Sequence, residues 1–152
     1  MQRWFVHNLR TESSRAILIG ADCPRLDVGE IEQAGKLLQT KQVVLGPAAD
    51  GGYYLIGLRG AWQPNESRFE TLFHDVPWST EQVLSVTRGR LKAAGLSITE
   101  LETREDVDTI DELRNLCKSL EQATDRHTEL KKGIDRILAG ISLSDPPSTE
   151  LP

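Results

Sequence analysis

The sequence predicts an α/β protein in which helices cover the faces of a β-sheet. Three short apolar segments, at 16–20, 42–46 and 53–58, are rich in Ile, Leu and Val. Their length and their β-branched residues indicate buried strands. Segments with the apolar spacing of helices, such as 27–39 and 79–94, lie between and after them. This alternation is typical of an α/β sheet with helices on its faces.

The first half of the chain predicts a helix, a strand and a second helix. Residues 1–10 resemble the end of a helix. Residues 16–20 (AILIG) predict a buried strand, which we expect to be parallel because both of its faces are apolar. Asp27 and Glu30 have the spacing of a capping box. They predict that a helix begins here and continues to about residue 39.

After the strands at 42–46 and 53–58, the chain predicts a further connection, helix and strand. Residues 59–68 are polar and contain Pro and Gly, so we expect an irregular connection. Ser79 and Gln82 repeat the capping-box spacing and predict the start of a helix. Gly95 is the expected end of that helix, and 96–101 predicts the next strand.

The carboxy-terminal part differs from the rest. Thr109 and Glu112 predict another capped helix. Apolar residues at alternating spacings of three and four then form a heptad seam. Its members are Leu113, Leu116, Leu120, Ala123, His127, Leu130, Ile134, Ile137 and Ile141. We therefore divide the chain into a domain over 1–115, a helical extension over 116–141 and a disordered tail over 142–152.

Composition excludes several classes of partner and location. The net charge is -5 over 152 residues, which argues against nucleic acid or an anionic membrane as a partner. No apolar run approaches the roughly 20 residues that span a bilayer, and the amino terminus has no signal-peptide segment. Two cysteines suit a reducing compartment. We expect a cytoplasmic protein.

The segment GADCP at 20–24 places Asp22 where a buried strand ends. Ligands of open α/β sheets bind outside the carboxyl ends of strands, and a carboxylate there can bind Mg²⁺ or Mn²⁺. The alternative is that Asp22 is a turn residue before Pro24. Cys23 is interpreted as a small buried hydrophobic residue rather than a nucleophile.

The segment GPAADGGYYLIG at 46–57 is the most informative one. The glycines Gly51 and Gly52 let the backbone approach a ligand or adopt a positive φ. Asp50 precedes them and could bind substrate hydroxyls or help to activate an acceptor. The alternative is an Asp-Gly hairpin turn, and a turn of this kind can also line a pocket.

Two further segments stand before helices. Asp106 and Asp108 are two residues apart, and we expect only one of them to face a site. Both could instead be acidic residues that favour a helix N-terminus. Trp78, in PWST, either covers a pocket or closes the core, and we favour the core.

Together these motifs resemble a known family. They are GADCP (20–24), VLGP (44–47), DGGYYLIG (50–57), VPWST (76–80) and DVDT (106–109). In this order they are similar to bacterial GT-A-type glycosyltransferases, largely uncharacterised, that are linked with radical-SAM and selenoprotein loci and with arsenosugar biosynthesis. They are distantly similar to the guanylyltransferases of molybdenum-cofactor and phospholactate metabolism.

The resemblance covers about residues 14–115 and implies a GT-A-like mixed sheet with flanking helices. It implies that Asp22 and Asp108 hold a divalent metal, Mg²⁺ or Mn²⁺. We assign the catalytic role to Asp50. The candidate substrate-binding residues are Gly51, Gly52, Tyr53, Trp78 and Ser79.

The leading hypothesis is a metal-dependent transferase that uses a nucleotide-activated donor, foremost a glycosyltransferase acting on a nucleotide-sugar. Two alternatives stay open: nucleotidyl transfer of the guanylyltransferase type, and a non-catalytic assembly or binding module. Members of such families begin with a further strand and a basic loop that binds phosphates, so we expect this chain to be truncated at its N-terminus. The heptad seam and the exposed strand edge at 16–20 predict a homo-oligomer, such as a homodimer.

Overall fold

The predicted alternation of strands and helices is confirmed by the structure, a computed structural model that describes residues 1–63, 65–120 and 128–142. The chain separates into two compact units, Met1–Asp106 and Val107–Pro152. Each unit has a hydrophobic core of its own. None of the helices in the described ranges has the length and apolar character needed to cross a membrane.

The first unit is built on a four-stranded mixed sheet. Its strands are β1 (Arg15–Ile19), β2 (Val43–Pro47), β3 (Tyr53–Arg59) and β4 (Ile98–Glu100). The order across the sheet is β1–β3–β2–β4. β3 pairs antiparallel with β1 and with β2, whereas β2 and β4 are parallel. Consequently β1, β2 and β4 run in the same direction, and their carboxyl ends lie at one end of the sheet.

The expectation that the strand at 16–20 pairs in parallel and is buried is wrong. β1 pairs antiparallel with β3, with Ala16 opposite Leu58. Only Ala16 is buried within β1, and Ile19 is 47% exposed. Within the described ranges, β1 is an edge strand. An apolar run indicates a strand, but the direction of its neighbour depends on the β2–β3 hairpin, which the run itself does not encode.

Both faces of the central strands are covered. Successive residues of a strand point to opposite faces, and in β2 Val43 and Leu45 pack in one core while Val44 packs in the other. The first core also contains residues of α1 (Gln2–Asn8), α3 (Glu66–Glu70) and α4 (Val83–Ala93). The second contains Ala34 of α2 (Val28–Leu37) and Leu38. Burial on both faces explains why β2 is apolar without alternation.

Two of the helix starts illustrate how capping works in this unit. The capping box at Asp27 is confirmed, because Asp27 Oδ1 accepts from Glu30 N at 3.0 Å and Glu30 Oε2 accepts from Asp27 N at 3.2 Å. The capping box at Ser79 and Gln82 is wrong. α4 begins after Gln82 without a side-chain cap, and Ser79 has a φ of 62°, outside helical geometry.

Two other predictions in this region have different outcomes. Gly95 follows α4 with a φ of 62°, the left-handed conformation that commonly ends helices, as predicted. The segment 59–68, predicted to be irregular, contains the start of α3. Phe69 in α3 is fully buried against Trp62, with ring centroids 5.5 Å apart. A five-residue helix has too little periodicity to be recognised, and packing of this aromatic pair stabilises it.

The second unit contains a pair of helices, α5 (Ile110–Leu120) and α6 (Thr128–Ser142). The capping box at its start is confirmed, since Glu112 N donates to Thr109 Oγ1 at 3.2 Å and Thr109 N donates to Glu112 Oε2 at 2.8 Å.

The described part of the heptad seam is shared between α5 and α6. Leu116, Leu120 and Ile134 are buried together, with Leu113 and Leu130 packed against them. The seam therefore covers itself within the unit over these residues. Its members Ala123 and His127, the side chain of Ile141, and the predicted tail beyond Ser142 lie outside the described residues.

Candidate functional site

A cleft of about 310 Å³ opens at the end of the sheet where β1, β2 and β4 finish. The residues that line it come from the end of β1, the β2–β3 hairpin, the segment before α4 and the segment after β4. They are Met1, Leu18, Ile19, Gly20, Asp22, Ala48, Asp50, Gly52, Tyr53, Tyr54, Ile56, Trp78, Ser79, Thr80, Val83 and Asp106. In α/β sheets this is the end at which ligands bind.

Three carboxylates reach the cleft, one from the segment that follows each of the three codirectional strands. Asp22 follows β1, Asp50 follows β2 and Asp106 follows β4. A carboxylate oxygen of Asp50 and one of Asp106 lie within 4.8 Å of each other. Three acidic side chains around one cleft create a strongly negative site, which favours a cation.

The Asp22 segment is held to the sheet at its base. Gly20 N donates to Tyr54 O at 2.8 Å and continues the pairing with β3 beyond the end of β1. A Cβ at Gly20 would lie 2.5 Å from Asp22 Oδ1, so the glycine leaves room for this carboxylate to fold back over the strand end. Cys23 beside it is buried, and burial, followed by the charge of Glu30, raises the pKa of the thiol. The interpretation of Cys23 as a buried hydrophobic residue is confirmed.

The Asp50 turn combines the hairpin and the cleft-lining interpretations. Asp50 Oδ1 accepts from Gly52 N at 2.7 Å, which orients the carboxylate. Gly51 has a φ of 90°, and a Cβ there would collide with the backbone of Glu81. The carbonyl of Gly51 accepts from Leu84 N in the first turn of α4 at 2.8 Å. Gly51 thus shapes the turn and is not among the cleft-lining residues, whereas Gly52 is.

Asp106 lines the cleft but is not among the site residues that we assigned from the sequence. The chain after β4 continues beside the β2–β3 hairpin, where Ala49 N donates to Arg104 O at 2.9 Å and Arg104 N donates to Pro47 O at 3.0 Å. This pairing carries Asp106 to the cleft. Residues two apart in an extended segment point to the same face, so the expectation that only one of the two aspartates faces the site has no basis in this spacing. The resemblance selected Asp108.

Asp108 belongs to the second unit, where its backbone N donates to Glu112 Oε2 at 2.8 Å. Its predicted convergence with Asp22 on one metal ion therefore stays a prediction.

The segment before α4 contributes Trp78, Ser79 and Thr80 to the lining of the cleft. Trp78 is 42% exposed, so the favoured interpretation of this indole as a core residue is wrong. Ser79 has a φ of 62°, which is uncommon for a residue other than glycine and tends to occur at functional sites. Thr80 Oγ1 donates to Pro77 O at 2.7 Å and fixes this turn.

Tyr53 lines the cleft with its ring while its hydroxyl is buried. Burial raises the pKa of Tyr53 to about 12, and the neighbouring Thr87 hydroxyl opposes this only in part. The phenol is therefore neutral at physiological pH and contributes a surface to the cleft rather than a base.

Comparison with known proteins places the chain in a family. Residues 1–80 match a family described as an uncharacterized protein conserved in bacteria, DUF2064. This match covers more than half of the 152 residues. The chain belongs to this family. The matched part includes Asp22, Asp50 and Trp78 of the cleft, and Asp106 lies beyond it. The chain matches no curated protein.

The fold is similar to a crystal structure of a provisionally assigned nucleotide-diphospho-sugar transferase from Desulfovibrio desulfuricans G20. The TM-score is 0.74 and the sequence identity is 28%. The similarity covers 96% of this chain and 59% of the other, so the chain spans less than two thirds of that relative. The predicted GT-A-like fold, a mixed sheet with flanking helices, is confirmed, and the resemblance to nucleotide-diphospho-sugar transferases holds at the level of the fold.

Proposed function

We propose that this chain contains the catalytic cleft of a metal-dependent transferase that uses a nucleotide-activated donor, and that the reaction is glycosyl transfer. The observation that carries the proposal is the convergence of Asp22, Asp50 and Asp106 on one cleft. It occurs on a fold similar to that of a provisionally assigned nucleotide-diphospho-sugar transferase. A diphosphate would not bind to three carboxylates alone, because like charges repel. A divalent cation bound by the carboxylates would offset this repulsion.

The residues of the cleft fit such a cation. Mg²⁺ and Mn²⁺ prefer oxygen ligands, and Mg²⁺ is usually bound by one or two carboxylates together with substrate phosphates. Asp50 and Asp106 supply two such carboxylates within 4.8 Å of each other, and Asp22 lines the same cleft. When bound, the cation supplies charge neutralisation for the leaving nucleoside diphosphate. Asp108 is retained as a further candidate ligand.

The chain's own side chains would then orient the substrates. The Gly52 N–H fixes the Asp50 carboxylate, which we assign to accept a hydrogen bond, and then a proton, from an acceptor hydroxyl. Gly52, Tyr53, Trp78 and Ser79 all line the cleft, and these four residues would contact donor or acceptor. Gly51 acts indirectly, through the shape of the turn.

The experiment is a calorimetric titration of the protein with Mn²⁺, followed by assays with a panel of UDP- and GDP-sugars. We expect Mn²⁺ binding that Asp106→Asn weakens at least tenfold, because one of two close carboxylates is lost. The matched control is Asp75→Asn, an exposed carboxylate of the same unit that is paired with His74 outside the cleft.

The outcomes separate the candidate functions. Release of a nucleoside diphosphate from a nucleotide-sugar supports glycosyl transfer. Consumption of a nucleoside triphosphate with release of pyrophosphate would instead establish nucleotidyl transfer. Mn²⁺ binding that is equal in wild type and Asp106→Asn would contradict the proposed site.

A further inference from the structure

An ion pair behind the cleft joins elements that are far apart in the sequence. Arg104 Nε donates to Glu30 Oε1 at 2.8 Å. The side chain of Glu30 is only 12% exposed and that of Arg104 is 33% exposed. The hydrogen bond to Glu30 raises the pKa of the Arg104 guanidinium above its ordinary value. The guanidinium therefore stays charged, and the pair is shielded in part from solvent.

The Glu30 side chain is also held by other contacts. Glu30 Oε2 accepts from Asp27 N at 3.2 Å, so the capping box of α2 orients the carboxylate. The hydroxyl of Tyr54 lies 3.4 Å from Glu30 Oε1 and donates to Glu102 O at 3.1 Å. Burial, assisted by the charge of Glu30, raises the pKa of Tyr54 to about 12, so the phenol remains a donor. The ion pair is thus part of a network and has one defined geometry.

This network bears on the cleft through the backbone of Arg104. Its N–H donates to Pro47 O at 3.0 Å and its carbonyl accepts from Ala49 N at 2.9 Å, immediately before Asp50. Asp106 follows Arg104 by two residues. The position of Arg104 therefore sets how the segment with Asp106 lies beside the turn with Asp50. Its side chain is in turn held by Glu30, on the helix that follows the Asp22 segment.

We propose that the Glu30–Arg104 ion pair is a positioning element that sets the separation of Asp50 and Asp106 and, through it, the affinity of the cleft for a divalent cation. The metal part of this inference rests on the proposed function. Neither Glu30 nor Arg104 lines the cleft. Their effect is transmitted through the backbone, as is typical of residues that orient metal ligands from outside the coordination shell.

The first unit offers a matched control. Arg88 and Glu100 form a bidentate ion pair, with Nε–Oε1 at 2.7 Å and Nη2–Oε2 at 2.6 Å. This pair joins α4 to β4, and neither residue lines the cleft. A variant of the control pair loses an ion pair of similar chemistry in the same unit. It therefore shows how the loss of an ion pair elsewhere in the unit affects the cleft.

The test compares Glu30→Gln and Arg104→Lys with Glu100→Gln and Arg88→Lys. Gln retains the capping contact at position 30, and Lys retains the charge at 104 but not the rigid fork of the guanidinium. We expect Mn²⁺ affinity, measured by calorimetry, to fall about tenfold in the first two variants. It should stay within twofold of wild type in the control variants at equal helicity by circular dichroism.

A second readout does not depend on metal. Hydrogen exchange of the Ala49 and Gly52 amides, followed by NMR, reports the Arg104 bond and the Asp50 turn directly. We expect exchange to accelerate in Glu30→Gln and Arg104→Lys and to be unchanged in the controls. The double variant Glu30→Gln/Arg104→Lys should be no worse than the worse single variant, because both remove one interaction.

The outcomes distinguish this inference from the proposed function. Equal effects of the two ion pairs on exchange at Ala49 and Gly52 would overturn the positioning role, whatever the metal result. If wild type binds no Mn²⁺ but exchange changes only in the Glu30 and Arg104 variants, the proposed metal site fails while the positioning of the two carboxylates stands.

Discussion

The ring of Tyr54 lies directly on Gly46, so that a Cβ at position 46 would approach Tyr54 Cζ to 2.5 Å. Gly46 is in β2, and Tyr54 is in β3 with only 2% of its surface exposed. The contact lets the phenol cross the neighbouring strand and extend its hydroxyl to Glu102 O. The absence of a side chain at Gly46 thus leaves room for the ring of Tyr54, which also lines the cleft.

We predict that Gly46→Ala destabilises the protein. The ring of Tyr54 is enclosed and cannot move aside without losing its hydroxyl contacts, and overpacking of this kind costs about 1–3 kcal/mol. Urea denaturation gives the free energy of unfolding. Gly89→Ala is the control, because a Cβ at Gly89 would meet nothing within 4 Å inside α4. That change should stabilise by about 0.5–1 kcal/mol, and equal losses in both variants would exclude the role of the Tyr54 contact.

We predict that Trp78 contributes to substrate binding. Its indole lines the cleft and is 42% exposed, whereas Trp4 is 41% exposed and does not line it. Trp78→Ala should weaken binding of a nucleotide-sugar by about 1 kcal/mol, or roughly fivefold, through loss of aromatic contact area. Trp4→Ala should leave that affinity unchanged. Calorimetry in the presence of Mn²⁺ measures the affinity of each variant. Equal affinities of Trp78→Ala and wild type would show that Trp78 is not part of the binding site.

We predict that the Arg88–Glu100 ion pair makes the free energy of unfolding depend on pH in the acidic range. The hydrogen bond from Arg88 lowers the pKa of Glu100 below its ordinary value of 4.5. A carboxyl whose pKa is lower when folded stabilises the protein above its unfolded pKa, and this stabilisation is lost as pH falls through the folded value. The pair is partly exposed, so we expect only about 0.2–1 kcal/mol. Glu100→Gln should show a smaller loss of stability between pH 6 and pH 3 than wild type.

We predict a homo-oligomer in solution, and the second unit indicates where to test it. Ile137 in α6 is 55% exposed, whereas Leu130 packs against the core that α5 and α6 share. Ile137→Asp should lower the mass measured by light scattering toward the 16.9 kDa of one chain without loss of helicity. Leu130→Asp should reduce helicity as well. A wild-type mass near 16.9 kDa at micromolar concentration would contradict the oligomer.

The sequence predicts an interaction correctly where its two partners are close together in the chain. The capping boxes at Asp27 and Thr109 were predicted because the donor and the acceptor are three residues apart. The same spacing failed at Ser79. There the chain adopts a positive φ within a turn that forms one wall of the cleft, a tertiary constraint that the spacing does not contain.

The candidate site was predicted in outline. Asp22 and Asp50 line the cleft because each follows a strand, which the sequence indicates directly. Asp106 reaches the cleft because the bridge between Ala48 and Arg104 holds the segment after β4 beside the hairpin. Such pairing across more than fifty residues is invisible to local patterns, and so is the ion pair of Glu30 with Arg104.

The bond from Leu84 N to Gly51 O has a mechanical consequence. α4 begins without a side-chain cap, and this carbonyl of the Asp50 turn accepts one of its first amides. A displacement of α4 along its axis would therefore be communicated to Asp50, while the chain leading into the same helix bears Trp78. The start of α4 therefore anchors both the turn that holds Asp50 and the segment that brings Trp78 to the cleft.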